Sequence, residues 1–189
     1  MDPETLMQQV PAAAEEKASK EIRKRADSEG HGGGTPSSVT FKGHPIHPIL
    51  VAMPVTLLPA AFATDCAYLA YRDPFWPRAS RLLLAAGFAS GVASAATGLV
   101  DFLTISEVRS HKAGWIHFLG NAAALLVSAA NLASNRARTR RRVQPAGAVL
   151  SALTTVLLVI TGWFGGELVY RHRIGVSGPR RGQSGPEGN

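Results

Sequence analysis

The sequence predicts an all-α integral membrane protein: four transmembrane helices in a bundle, behind a polar and mostly disordered N-terminal arm. Three observations predict it. Four apolar stretches, at about residues 49–71, 82–105, 113–133 and 146–170, each approach the roughly 20 residues a helix needs to cross a bilayer core. Few charges interrupt them, chiefly Asp65, Asp101 and Glu167. The stretches lack period-two alternation and are rich in Ala and Leu, which argues against strands. The near-neutral mean hydropathy of +0.06 averages this apolar part with a polar beginning.

Residues 1–40 read as the arm. "AAAEEKASKEIRKRADSEG" suits a short charged helix with Glu/Lys pairing, and "GHGGGTPSS" a flexible hinge. The arm has no long apolar core, so it is not a conventional secretory signal. The membrane domain is expected over residues 41–176, followed by a loop-like tail at 177–189.

Span 1 is entered through "FKGHPIHPILVAMPV", residues 41–55. A residue before proline is biased to extended backbone, and proline suits the first helical turn. His47 is therefore expected just ahead of the span, with Pro48 in its first turn and His44-Pro45 extending a stiff entry. A rigid entry fixes where an imidazole points, which suits a ligand to iron or another metal. Cys66 reads as a small core residue. Span 2 carries small residues at helical spacing, Gly87, Gly91, Ser94 and Gly98, ending at Asp101. Such a stripe lets helices approach closely in a membrane. Span 3 has one polar stripe: His117, Asn121, Ala124, Ser128, Asn131 and Asn135. Span 4 ends in "TGWFGGELVYRH"; Gly162, Gly165 and Gly166 suit close packing against span 2 or room for a flat cofactor.

The formal charge of +7 follows topology and does not point to nucleic acid. Arg72, Arg78 and Arg81 flank the loop between spans 1 and 2, and "RARTRRR" (136–142) joins spans 3 and 4. The other face carries Lys42, Arg109, Lys112, Arg171 and Arg173 near the spans. The positive-inside rule places the first two loops in the cytoplasm and both termini in the periplasm of a bacterial inner membrane.

Five of the six histidines, His44, His47, His111, His117 and His172, fall near one membrane face, together with Asp101, Glu107 and Glu167. The sixth, His31, lies in the arm. An ionisable group below the interface, such as His117, marks a functional site by default.

"FKGHPIHPILVAMP", "ATGLVDF", "HFLGNAAALL" and "GWFGGELVYRHRIGV" resemble the bacterial four-helix membrane family called domain of unknown function 2231, over about residues 41–176. The resemblance implies four spans, a paired His-Pro entry and a Gly-Gly-Glu exit followed by His. Related architectures joined to Rieske or cytochrome-type domains imply membrane electron transfer. This chain has no CxxCH and a single cysteine, so such a redox partner is expected to be a separate periplasmic protein.

The leading expectation is haem b held between helices near the outer face by His47 and His117, for electron transfer rather than catalysis. His44 and His172 form a second candidate pair. Asp101, Asn121 and Glu167 are candidates to orient imidazoles or carry protons, and Arg109 or Lys112 to neutralise propionates. The alternatives are a zinc or copper site drawn from His44, His47, His111, His117 and His172, or a cofactor-free scaffold in the bilayer, with a homo-oligomer open in each case. No Ser-His-Asp arrangement, P-loop or dinucleotide glycine pattern is present. No internal repeat is evident to suggest a transporter.

Overall fold

A computed structural model describes residues 16–17, 19–21, 34–137 and 145–176. The chain divides into two units, one of residues 35–177 and one made of the termini. In the terminal unit the described residues 16–17 and 19–21 are helical, and Lys20 pairs with Glu16 at 2.6 Å, one helical turn apart. The tail, most of the arm and most of the basic loop lie outside the described residues.

The larger unit contains a hairpin, β1 (Thr40–Phe41) and β2 (His44–Pro45), then α1 (Ile46–Tyr71), α2 (Phe75–Thr104), the short α3 (Ser106–Ser110), α4 (Lys112–Ala137) and α5 (Pro145–Gly166), which runs on into a π-helical turn, Glu167–Arg171. All four long helices have the length and apolar composition to cross a membrane. The burial pattern is that of a membrane protein. Among the most buried side chains are Asn131, Thr154, Thr161, Ser128 and Ser151, whereas Leu126, Leu82, Val159 and Trp163 are exposed on the outside. Hydrocarbon solvates the apolar exterior, so the polar groups turn inward to find partners.

Several boundaries differ from the expected ones. His47 does not precede the helix: α1 begins at Ile46, capped by the extended Pro45, and His47 lies in its first turn. The entry is a tight hairpin whose turn residues Lys42 and Gly43 both have positive φ, 48° and 81°, as a two-residue turn of this hand requires. Helix α2 starts at Phe75, seven residues before the apolar run. Asp73 Oδ1 accepts from the Phe75 N–H at 2.7 Å, and Arg78 and Arg81 extend the helix beyond its apolar part. Cys66 is exposed on the outside of α1 rather than in the core. Pro54 and Pro59 lie inside an unbroken α1.

Each long helix packs on two others, giving the ring α1–α2–α4–α5, with α1 and α4 on one diagonal. Within this ring the molecule is built twice. The interior positions of α1 recur in α4 at an offset of 70, as from 47 to 117: Pro54 with Ala124, Leu58 with Ser128, Ala61 with Asn131. Those of α2 recur in α5 at an offset of 67, as from 94 to 161: Ser80 with Gly147, Leu84 with Ser151, Gly87 with Thr154, Gly91 with Leu158. The repeat escapes inspection of the sequence because it survives as a burial register while most residue identities differ.

Residues 35–41, assigned from sequence largely to the arm, form a strap across the histidine end. Ser37 Oγ and the Ser38 N–H donate to the two carboxylate oxygens of Asp101, at 2.7 and 2.8 Å. Thr35 pairs with the chain exit: its N–H donates to Arg173 O at 2.9 Å, and the Gly175 N–H donates to Thr35 O at 2.7 Å. Beneath lies an apolar plug of Phe102, Ile105, Val108, Ala113, Leu168 and Ile174, against which Phe118 and Phe164 pack.

Candidate functional site

Two imidazoles meet across the bundle at this end. His47 projects from α1 and His117 from the diagonally placed α4. Their ring centroids are 6.3 Å apart and their planes stand at 88°. Each ring is fixed in the same way by the helix beside it. His47 Nδ1 lies 3.0 Å from Ser94 O on α2, and His117 Nδ1 lies 2.8 Å from Thr161 O on α5. A carbonyl oxygen only accepts, so each Nδ1 carries the proton and, in the neutral ring, Nε2 keeps its lone pair.

One turn further along each supporting helix is a glycine against which the ring lies. A Cβ at Gly98 would stand 2.7 Å from His47 Cε1, and one at Gly165 would stand 2.8 Å from His117 Cε1. The unit of imidazole, helix carbonyl and glycine four residues later thus occurs twice, related by the internal repeat. Asn121 does not touch the imidazole of His117. Its Nδ2 donates to the His117 backbone carbonyl at 2.7 Å, and its Oδ1 accepts a long hydrogen bond from Thr161 Oγ1, 3.4 Å.

The other candidate residues are arranged differently from a single cluster. His44 is exposed on the hairpin, paired with Phe41, and does not join His172. His172 lies instead against His111, with centroids 3.9 Å apart and the rings tilted at 46°. His111 Nδ1 is held by Glu107 O at 2.8 Å. Glu167 belongs with this outer pair: its Oε1 is 3.9 Å from His172 Nε2 and 3.4 Å from Arg171 Nη1. Asp101 holds the strap and does not reach an imidazole. Arg109 donates to the carbonyls of Phe102 and Leu103 at the end of α2, and Lys112 is exposed at the start of α4. Among the described residues no three His, Cys, Asp or Glu side chains converge on a metal position.

The glycines of α2 face the interior. A Cβ at Gly87 would meet the side chain of Leu58, and one at Gly91 that of Leu125, each at 2.8 Å. Gly162 meets nothing within 4 Å, and Gly166 approaches only Tyr170 of its own chain segment. Of the three glycines near the end of α5, then, Gly165 alone serves the site. The acceptors Ser94 O and Thr161 O were not foreseeable from side-chain chemistry. The close approach of Gly120 to the Thr161 side chain also carries no motif of its own.

A family model described as "Predicted membrane protein (DUF2231)" matches residues 43–178, most of the chain and all of this site. Neither the curated proteins nor the solved structures include a significant match.

Proposed function

The chain belongs to this family of predicted membrane proteins, and we propose that it binds haem b between His47 and His117 and carries electrons at the membrane face where they lie. One observation carries the reading: two imidazoles opposed across the bundle, each tethered through Nδ1. With metal–nitrogen bonds of about 2.0–2.1 Å, two imidazoles on opposite sides of one metal place their centroids about 6.2–6.5 Å apart. The observed separation is 6.3 Å. The donor set would suit a haem held by His47 and His117, and four-helix bundles build such sites from facing helices.

Bound haem supplies a one-electron iron couple. The chain supplies the rest. The carbonyls of Ser94 and Thr161 fix the tautomer and orientation of each ring and leave Nε2 as the ligating atom. Gly98 and Gly165 let the rings lie against the helices. The plug around Phe102 and Phe118, with the strap above it, keeps water from the site. Of Arg109 and Lys112, the exposed Lys112 is the one available to a propionate, since Arg109 is engaged at the end of α2. With the histidine end facing the periplasm, a separate soluble redox protein exchanges electrons there.

The test is an oxidised-minus-reduced spectrum of the protein purified after expression with ample haem. The expected result is a low-spin b-type spectrum, lost in His117→Ala and either lost or converted to a five-coordinate, carbon-monoxide-binding form in His47→Ala. Wild-type protein without Soret absorbance or a pyridine haemochrome would falsify the reading, and stoichiometric zinc or copper in its place would redirect it to metal binding.

A further inference from the structure

The end of the bundle opposite the histidines holds an acid that the haem reading does not use. Asp65 is 3% exposed and lies in the membrane-crossing part of α1. On the same helix as His47, it is about 27 Å away at 1.5 Å per residue. That places it near the far boundary of a hydrocarbon layer about 30 Å thick. Less than two turns of α1 remain before its end at Tyr71.

The cluster around it joins all four helices. Ser80 Oγ on α2 donates to Oδ1 at 2.5 Å, and Ser151 Oγ on α5 donates to Oδ2 at 2.7 Å. Asn131 Nδ2 on α4 donates to Ser151 Oγ at 2.9 Å and to Gly147 O at 3.1 Å. A staple does not need a carboxylic acid for this. The register of the internal repeat sets Asn135 of the sequence against Asp65, and Asn131 links α4 to α5 as an amide. An amide of the same shape carries no charge, whereas a carboxylate below the interface is costly.

Among the described residues no cation pairs with Asp65. Among the described residues its hydrogen-bond partners are two hydroxyls. The charged or titratable side chains nearby are Tyr68 and Arg72 on α1, with Arg72 over the Tyr68 ring at 5.7 Å, and Arg78 and Arg81, which flank Ser80 on α2. Among the described residues, the polar groups that α4 and α5 bring to this cluster are the neutral Asn131 and Ser151. Hydroxyls have a property fixed donors lack: they donate to a carboxylate and, after rotation, accept from a carboxylic acid. The cluster can hold both states of Asp65 without moving a helix.

We propose that Asp65 is a proton-exchange site, filled from the aqueous phase at the end opposite the histidines. On the haem reading, a proton there offsets the charge of an electron arriving at the other end, but the site stands without it. Infrared difference spectroscopy of the full chain in lipid, with stepped buffer pH, tests it. A carboxyl C=O band should appear reversibly on acidification, shift in deuterated buffer and be missing from Asp65→Asn. Ser80→Ala and Ser151→Ala should keep the band and displace its midpoint. Identical pH-difference spectra for folded wild type and Asp65→Asn would reduce Asp65 to a staple and overturn the proposal. Should Asp65→Asn fail to fold, a carboxyl response unmoved by both serine variants overturns it equally. None of these measurements needs a bound cofactor, so a missing Soret band would remove the haem reading and leave this result standing.

Discussion

Replacing Gly165 by alanine is the sharpest perturbation of the histidine pair. The added Cβ would stand 2.8 Å from His117 Cε1 and 2.9 Å from Nδ1. Comfortable carbon contacts are about 3.5–4.0 Å, so the ring must retreat from α5 by about 0.7–1.2 Å. Thr161 O, the acceptor of the Nδ1 proton, is on the same helix one turn earlier, and the bond now measures 2.8 Å. Retreat from the helix carries the ring beyond hydrogen-bonding range. Overpacking costs about 1–3 kcal/mol, and the lost bond about 1 kcal/mol more. Gly162→Ala is the matched control, because its Cβ meets nothing within 4 Å. Alanine is the better helix former, so that variant should be more stable by up to about 1 kcal/mol. Thermal unfolding in a mild detergent, followed by circular dichroism, measures both, and the haem spectrum of Gly165→Ala should lose low-spin character. The reasoning is refuted if Gly165→Ala melts with Gly162→Ala and keeps an unaltered spectrum.

Four further outcomes follow from the same geometry. Ring planes at 88° should give oxidised haem an electron paramagnetic resonance signal dominated by one low-field feature; the rhombic three-line pattern of parallel imidazoles would contradict the opposed arrangement. His44→Ala should leave haem content unchanged, because His44 is exposed on the hairpin and away from the pair; halved haem content would restore it as a ligand. Asp101→Ala removes both hydrogen bonds that hold Ser37 and Ser38, costing about 1.5–3 kcal/mol, and should expose residues 35–41 to limited proteolysis, whereas wild-type resistance would show that the strap is held otherwise. Reporter fusions after Arg142 and after Val176 should read cytoplasmic and periplasmic respectively; the reverse pattern would invert the orientation drawn from loop charges.

The four spans were legible because membrane-crossing length and composition are properties of single helices. So was the gathering of histidines at one end, since span count alone fixes which ends coincide. Which histidine meets which was not legible. Helical spacing places His117 on the interior stripe of α4, but its partner comes from a diagonal helix, and the contact depends on the bundle closing as a ring. His172 and His44 form a candidate pair in the sequence because both fall at this end; the π-helical turn at Glu167–Arg171 brings His172 instead to His111. Asp101 looked like an imidazole partner because it follows the glycine stripe of α2, yet the strap, a segment with no apolar or helical signature, occupies both of its oxygens. The start of α2 was missed for a different reason: Arg78 and Arg81 lower the hydropathy of a helix that continues past the apolar layer.

The repeat supplies an argument about function that neither half supplies alone. Once two copies of a hairpin pack as one bundle, each interior position is free to change provided its neighbours change with it. The pairs show that freedom: Leu58 faces the role of Ser128, Ala61 that of Asn131, Leu84 that of Ser151, Gly91 that of Leu158. In three of these pairs the second copy carries the polar residue, while Asp65 and Ser80 keep polar groups in the first. Against that divergence, Leu83 with Leu150 and Ala85 with Ala152 stay identical as ordinary apolar packing, and three pairs are kept at the histidines: His47 with His117 and Gly98 with Gly165 are identical, and Ser94 with Thr161 remains a hydroxyl residue whose carbonyl does the work. All three belong to the same pair of tethered rings. Apolar packing does not explain these three, because it tolerated Leu for Ser about three turns away and does not call for matched imidazoles. A requirement acting on both rings at once does, and a ligand held from two sides by equivalent donors imposes that requirement. Repeat register, not proximity alone, therefore separates His47 and His117 from the neighbouring His111 and His172: the offset of 67 sets Ile105 against His172, and the offset of 70 sets Phe41 against His111.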